Sequence, residues 1–509
     1  MKQTNRNKDD KVLFQVVFVL LVTVIVLLAT SITWFKNNFE GVDFSTILFT
    51  LTTTLEGSGN TFREWFRAVA PMTITVFVII FFFTVIQKKV LFAINIKHKR
   101  NGKSANIPLN IYRQKGIVAV LCMLVICTEI GVSMEVVGVL DFFLAKGEYS
   151  TLYEDYYVSP SDIQLDFPKQ KRNLILIYLE AMDTAVADIT LTNGKVNLIP
   201  ELEEIANQNV SFSNTDRLGG GYSCFGTDWT MGGLLASSSG VPFDMPLGKN
   251  KMSEADTFLP GLVTLGDILE EQGYQQTFMC GSVAVFGGRE LFFTEHGKYE
   301  ILDSKYASEN NWVEQEYYNG FWGIEDEKLY EFAKKELLRM AAEKEPFNFT
   351  FLTVDTHFEE GYVCTKCENT YVEQYANVYR CASKQLNEFL KWIQQQEFYE
   401  NTTVVILGDH NCMNYGFTSS AQEETIRTYN AFINSVVSPN HVLERQFTTM
   451  DYFPTILASM GVEIEGDRIG LGTNLFSDEK TLPEKLGMDT FETDLQKNSL
   501  FYATFYIDL

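Results

Sequence analysis

Basic charge is scarce along most of this chain. Of its 509 residues, 41 are Lys or Arg and 65 are Asp or Glu. Residues 1–144 hold 15 basic and 9 acidic residues, which leaves 26 and 56 for residues 145–509, a net charge of −30. A polyphosphate partner needs a basic footprint, so nucleic acid is excluded as a partner. An anionic substrate that meets a local metal ion or an Arg is compatible with this balance. The chain also lacks internal repeats and long low-complexity linkers.

Near the N-terminus the missing feature is charge of either sign. Residues 12–35 form a run of 24 uncharged residues, long enough to cross a bilayer core of about 30 Å. A second uncharged run covers residues 68–87. A third span is expected over 116–144: its first 13 residues carry no charge, then Glu129, Glu135 and Asp141 mark its outer end leaving the membrane. No small-residue cleavage site follows the first run, which favours an anchor over a cleaved signal peptide. The segment between the second and third runs holds Lys88, Lys89, Lys97, Lys99, Arg100, Lys103, Arg113 and Lys115 without an acidic residue. The positive-inside rule places it in the cytoplasm, so three spans put everything after about residue 145 outside the cell membrane. Phe44–Leu55 is too short to span and is either an interfacial or re-entrant piece or a packed loop helix. Residues 145–171 are expected to link a membrane anchor, 1–144, to a catalytic domain over 172–480, with 481–509 as a C-terminal extension.

Beyond the anchor, apolar runs over Leu174–Leu179, Thr277–Cys280, Phe349–Val354 and Thr403–Leu407 have the near-continuous character of buried parallel strands. Helical patterns over Ile199–Asn207, Leu262–Gln272, Glu325–Lys344 and Glu373–Phe398 separate them. This alternation predicts an α/β domain with a mainly parallel central sheet and helices on both faces. Such a sheet binds its ligands at the carboxyl edge of the strands. There the first run ends in Glu180, the third is followed by Asp355 and His357, and the fourth by Gly408-Asp409-His410. Two carboxylates and an imidazole suit a divalent cation such as Mn²⁺, Mg²⁺ or Zn²⁺. Nucleophilic chemistry beside such an ion also needs a hydroxyl. The segment Gly219-Gly220-Gly221-Tyr222-Ser223-Cys224-Phe225-Gly226-Thr227-Asp228-Trp229-Thr230 supplies one, with glycines that let backbone approach a phosphoryl group and a helix expected to follow.

Six cysteines fall beyond the anchor. The spacing Cys364-x-x-Cys367 is of zinc-binding type, but no second CxxC or His pair completes four ligands. Outside the cytoplasm a disulfide is the expectation, with Cys367 and Cys381 as the pair. His296 is expected to be structural.

Ordered blocks carry a resemblance over residues 170–480: NLILIYLEAMD at 173–183, GTDWTMGGLLAS at 226–237, VFGGRELFFTEHG at 285–297, WGIEDEKLYEFA at 322–333, FLTVDTHF at 351–358, VVILGDHN at 404–411, TTMDYFPTIL at 448–457 and GDRIGLGTNLFS at 466–477. The chain resembles the alkaline-phosphatase/sulfatase superfamily, in the branch of lipoteichoic acid synthases and periplasmic phosphoglycerol transferases, and the GTxWT form is nearer the latter. The resemblance implies an α/β/α ectodomain in which Glu180, Thr227, Asp409 and His410 surround one metal ion, Mn²⁺ first among the candidates. Thr227 is the implied nucleophile, taking phosphoglycerol from a phosphatidylglycerol-type lipid and passing it to a glycolipid, polyglycerolphosphate or glycan acceptor. Arg289 matches the family's phosphate-binding arginine and His357 its substrate-binding histidine. Phe286 stands where lipoteichoic acid synthases have Trp. A formylglycine sulfatase is disfavoured, because Cys224-Phe225-Gly226-Thr227-Asp228 lacks the Pro and Arg of its motif. A metal-dependent phosphodiesterase and a phosphoethanolamine transferase are the alternatives.

Overall fold

The computed structural model describes residues 2–38, 44, 47, 59–82, 92–97, 104–109, 115–244, 257–315, 318–319, 321–358 and 360–506. Two compact units emerge, one of residues 1–40 and 58–141, the other of 41–57 and 142–509. Most of Phe44–Leu55 lies outside the described residues.

In the first unit, α1 spans Lys2–Asn38, α2 Gly59–Phe81 and α3 Lys115–Val136, with a hairpin of β1 (Phe92–Lys97) and β2 (Ser104–Leu109) between the last two. Among the described residues two helices, not three, are long and apolar enough to cross a membrane: Val12–Asn37 and Gly116–Val136. The second expected span falls short. Arg63, Glu64 and Arg67 occupy the start of α2, and its apolar part is only Trp65–Phe81; residues 83–87 lie outside the described set. The third span ends earlier than expected. Gly138, at φ 70°, separates α3 from a short helix at Val139–Ala145.

The second unit is built on a six-stranded sheet. Its strands are β3 (Asn173–Leu179), β4 (Gln275–Cys280), β5 (Glu300–Leu302), β6 (Phe347–Leu352), β7 (Thr402–Gly408) and β8 (Asn430–Ile433). Their order across the sheet is β8-β7-β3-β6-β4-β5, all parallel except the edge strand β8. The pleat sends alternate residues to opposite faces. Leu174, Leu176 and Tyr178 enter one apolar core, while Ile175, Ile177 and Leu179 enter the other. Burial on both faces explains why the strands show no polar alternation. The covering helices are α4 (Pro200–Gln208), α5 (Thr230–Ser239), α6 (Leu265–Glu271), α7 (Arg289–Glu295), α8 (Asp326–Ala342), α9 (Gln374–Gln394) and α10 (Tyr452–Ser459).

The expected linker and C-terminal extension are not separate from this unit. Leu152 and Tyr153 are buried in one core, Val158 bridges to Gly470, and Phe491, Leu495, Tyr502 and Phe505 complete the same core. The aromatic richness of 145–171 reflects packing rather than free linkage.

Candidate active site

Four strands end on one rim. β3 delivers Glu180, β7 delivers Asp409 and His410, β6 leads to Asp355 and His357, and β4 leads to Ser282 and, at the start of α7, Arg289. Glu180, Asp409 and His410 are all buried, with one ligand atom from each lying within 4.8 Å of the others. His410 Nε2 sits 3.3 Å from Glu180 Oε1 and 3.5 Å from Asp409 Oδ2.

Backbone geometry holds this group in place. Ala181 adopts φ 50°, a left-handed conformation that a buried non-glycine residue takes only where surrounding contacts enforce it. Its N–H donates to Asp409 Oδ1 at 2.8 Å, and its carbonyl accepts from Tyr379 Oη at 2.7 Å. Glu180 is clamped on both sides by the loop that follows β6: its N–H donates to Thr353 Oγ1, and its carbonyl accepts from Thr356 Oγ1. His410 Nδ1 faces the Asn411 carbonyl at 2.7 Å, which leaves Nε2 as the nitrogen turned to the carboxylates.

The electrostatics fit a cation site. Burial would lower the pKa of His410, but the Asp409 and Glu180 carboxylates raise it to about 10. Burial and the neighbouring Glu180 push Asp409 up to about 7. Burial also opposes ionisation of Glu180, yet the hydrogen bond from His410 and the charges of His357, His410 and Arg289 hold it below its usual value. Two buried carboxylates thus crowd one imidazole. Asp409 Oδ2 is buried and accepts no hydrogen bond among the described residues. An orphaned, charged oxygen of this kind is costly unless a cation meets it, so the donor set fits a divalent ion.

The two threonines of the glycine-rich segment differ from the sequence expectation. Thr227, fully buried, accepts from the Cys224 N–H at 2.7 Å and donates to the Cys224 carbonyl at 3.0 Å. Its hydroxyl closes a turn and makes no hydrogen bond to the carboxylate group. Thr230 is. Its Oγ1 lies 3.4 Å from Glu180 Oε2 and 3.5 Å from His410 Nε2, on a half-buried residue that opens α5. Gly233 permits this approach, because a Cβ there would stand 1.8 Å from the Asp409 carbonyl oxygen. The signal for Thr230 was its place at the first helical position, where unpaired backbone N–H groups and the positive end of the helix dipole collect.

Arg289 is buried beside this rim. Its Nε donates to the Phe286 carbonyl at 3.1 Å, and Nη2 donates to Ser282 Oγ and the Val283 carbonyl, both at 2.9 Å. Nη1 makes no hydrogen bond among the described residues. His357 Nδ1 faces the Phe358 carbonyl at 2.8 Å, and its ring meets Trp322 at 4.4 Å, tilted 61°. Burial pushes the His357 pKa down against the pull of Glu180. Asp355 has a positioning role: its Oδ1 accepts from the Asp326 N–H at the start of α8, and Asp326 in turn accepts from the N–H groups of Val354 and Asp355. His296 is structural, set between Asp267 and the Phe258 carbonyl. A cleft of about 410 Å³ opens at the other edge of the sheet, lined by Lys169, Lys171 and Lys344 among others. It contains none of this rim's carboxylate–imidazole chemistry.

No S–S bond joins Cys367 to Cys381; the described cysteines are free thiols. Cys364 stands between the two, 3.6 Å from Cys367 Sγ and 3.8 Å from Cys381 Sγ.

Comparison with known proteins gives the family of the domain that carries this rim. The sulfatase family matches residues 172–462, more than half the chain. This chain belongs to the sulfatase family. Two curated relatives share 28% identity with it, and both are named phosphoglycerol transferase I. The one from Salmonella choleraesuis (strain SC-B67) aligns over 331 residues, 63% of this chain and 41% of that protein. The one from Escherichia coli (strain 55989 / EAEC) aligns over 378 residues, 68% and 47%. This chain therefore spans less than half the length of these relatives. Among solved structures, the lipoteichoic acid synthase LtaP from Listeria monocytogenes aligns at TM-score 0.47 with 17% identity, covering 64% of this chain and 81% of that one.

Proposed function

We propose that this sulfatase-family chain is a membrane-anchored phosphoglycerol transferase that works through Thr230, outside the cell membrane. The observation that carries the reading is the Thr230 hydroxyl at the N-terminus of α5, beside Glu180 and His410. The names of the two curated relatives supply the transferred group, and a phosphatidylglycerol-type lipid is the proposed donor. The two apolar helices support anchoring, and the run of basic residues between the expected second and third spans supports the orientation.

Glu180, Asp409, His410 and Thr230 would hold one divalent ion, for which we propose Mn²⁺. When bound, such an ion lowers the pKa of a neighbouring hydroxyl and offsets charge on a phosphoryl group. The protein's own groups do the rest. Thr230 Oγ1 attacks phosphorus and loses its proton, while the bond to the diacylglycerol oxygen breaks and that oxygen gains a proton. Amide N–H groups at the start of α5 face the phosphoryl oxygens, and Arg289 Nη1 offers them charged donors. His357, its Nδ1 occupied by Phe358, has Nε2 to carry the proton to the leaving oxygen, and later from the acceptor hydroxyl. An acceptor hydroxyl, on a glycolipid, a polyglycerolphosphate chain or a glycan, then takes the group from Thr230 in the reverse sense.

The test is incubation of the full chain in detergent with headgroup-labelled phosphatidylglycerol and Mn²⁺. The expected result is a glycerophosphoryl adduct localised to Thr230 and turned over by acceptor. Release of free glycerophosphate at the same rate with and without acceptor identifies a phosphodiesterase instead. Label transfer from phosphatidylethanolamine in preference to phosphatidylglycerol identifies a phosphoethanolamine transferase.

A further inference from the structure

Away from the carboxylate rim, three sulfurs converge. Cys364 and Cys367 lie on the loop that follows His357, and Cys381 lies on α9. Cys364 Sγ is 3.6 Å from Cys367 Sγ and 3.8 Å from Cys381 Sγ, and all three sulfurs fall within 4.8 Å of one another. In a tetrahedral zinc–thiolate site with Zn–S of about 2.3 Å, the sulfur–sulfur edge is about 3.8 Å by simple geometry. A disulfide would bring one pair to about 2.05 Å and turn the third sulfur aside. Neither contact of Cys364 is of that kind, and it favours neither partner.

A second observation points into the same space. Gln385 sits four residues after Cys381, on the same face of α9, and is 3% exposed. Its Nε2 is 3.4 Å from Cys381 Sγ and 3.6 Å from Cys364 Sγ, while its Oε1 is buried with no hydrogen-bond partner among the described residues. A half-turn of the amide exchanges these two atoms. It turns an oxygen toward the sulfurs, where a cation would meet it, and moves Nε2 to the position that Oε1 now holds.

We propose that Cys364, Cys367, Cys381 and the Gln385 carbonyl oxygen form a structural zinc site, separate from the carboxylate rim. The CxxC pair and the i, i+4 pair on α9 together provide the four ligands that the CxxC spacing alone lacks. The site ties the 355–372 loop to α9. That loop is held at its other end by Asp355, whose carbonyl accepts from Tyr362 N–H at 2.7 Å, and by His357, whose carbonyl accepts from Gly361 N–H at 3.1 Å. Zinc here would therefore fix the segment that carries His357, whatever group the rim transfers.

The test uses the full chain purified in detergent without chelator or reductant. Zinc X-ray absorption should show three sulfur neighbours at about 2.3 Å, at about one zinc per chain. This signal should persist in Asp409→Asn, which disables the rim, and vanish in Cys364→Ser and Cys381→Ser. Because those variants can fail by unfolding, the parent protein is also alkylated in denaturant with chelator. All eight cysteines should label without prior reduction. Zinc with only oxygen and nitrogen neighbours, or a disulfide among the three cysteines, overturns the proposal. Gln385→Leu should weaken zinc retention about tenfold; retention equal to the parent removes the amide from the ligand set.

Discussion

Replacing Thr230 and Thr227 separately by Ala distinguishes the nucleophile from its neighbour in sequence. Thr230→Ala removes the hydroxyl that lies 3.4 Å from Glu180 and 3.5 Å from His410. Both contacts are long for hydrogen bonds, and the residue is half-buried, so the fold loses little. Activity should fall about 10⁴-fold or more, the scale on which loss of a covalent nucleophile is measured, or about 5.4 kcal/mol of barrier. Thr230→Ser keeps the hydroxyl and should retain measurable transfer. Thr227→Ala has the opposite signature. The Cys224 carbonyl keeps its bond from the Thr227 N–H at 2.9 Å, but the Cys224 N–H loses the one acceptor it has among the described residues. A buried donor left unpaired costs about 1–3 kcal/mol, so this variant should melt a few degrees lower while transfer stays within severalfold of the parent.

The assay is transfer of labelled glycerophosphate from phosphatidylglycerol, read beside thermal unfolding of each variant. Fragmentation of the adduct peptide must separate the two threonines, because no Lys or Arg falls between them. An adduct on Thr227, or a Thr227→Ala protein that is normally stable yet inactive, refutes the assignment. So does a Thr230→Ala protein with ordinary activity.

Three further outcomes follow from the same geometry. Arg289→Lys loses the Nε bond to Phe286 and the fork that reaches Ser282 and Val283, so kcat/KM should drop about 10–100-fold, given about 1.5–3 kcal/mol for charged hydrogen bonds, and the loss of these buried bonds should also lower the melting temperature by a few degrees. Gly233→Ala places a Cβ against the Asp409 carbonyl, so α5 must retreat, carrying Thr230 with it; stability should fall by about 1–3 kcal/mol and calorimetry should show weakened metal binding, whereas unchanged binding would mean that the helix does not need this close approach. Metal affinity at the rim should rise with pH: His410, raised to about 10, holds a proton below that value that a cation must displace, so between about pH 7 and 9 the apparent affinity should climb about tenfold per unit with one proton released, measured by calorimetry in buffers of different ionisation enthalpy.

Strand ends were more legible in this sequence than the loop between them. Leu174–Leu179 and Thr403–Leu407 are apolar runs that stop at Glu180 and at Gly408-Asp409-His410, and a parallel sheet converts such endings directly into one rim. The short edge strands β5 and β8 left no comparable run. In the glycine-rich segment, Thr227 and Thr230 stand three residues apart, and no pattern in the loop says which of them faces the rim. The helix start decides it, and that depends on Gly232 and Gly233 allowing α5 to pack against the residues before it and against Asp409. The second membrane run illustrates a different limit. Absence of charge over 68–87 marked an apolar segment, but not that its helix begins at Gly59 and includes Arg63, Glu64 and Arg67. Likewise, the CxxC spacing and Cys381 were visible as a group while Gln385 was not, since it comes to them only through the turn of α9 that follows Cys381.

Charge gives the site its last constraint. A domain of strongly negative balance, with Glu180 and Asp409 buried at its rim, is poorly disposed toward a phosphodiester approaching from solvent. Local positive charge must therefore outweigh the background at the point of transfer. Arg289 is one source, fixed in orientation by three hydrogen bonds. The N-terminus of α5 is another, with about half a positive charge directed at the Thr230 hydroxyl. His410 is a third only while it keeps its proton, and it cannot keep that proton and also ligate a cation through Nε2. A divalent ion resolves this conflict, because it replaces a single positive charge with two at the same place and leaves the imidazole neutral. The arrangement predicts that added salt, which screens the surface, should alter transfer far less than removal of the metal ion, since the charges that matter are buried.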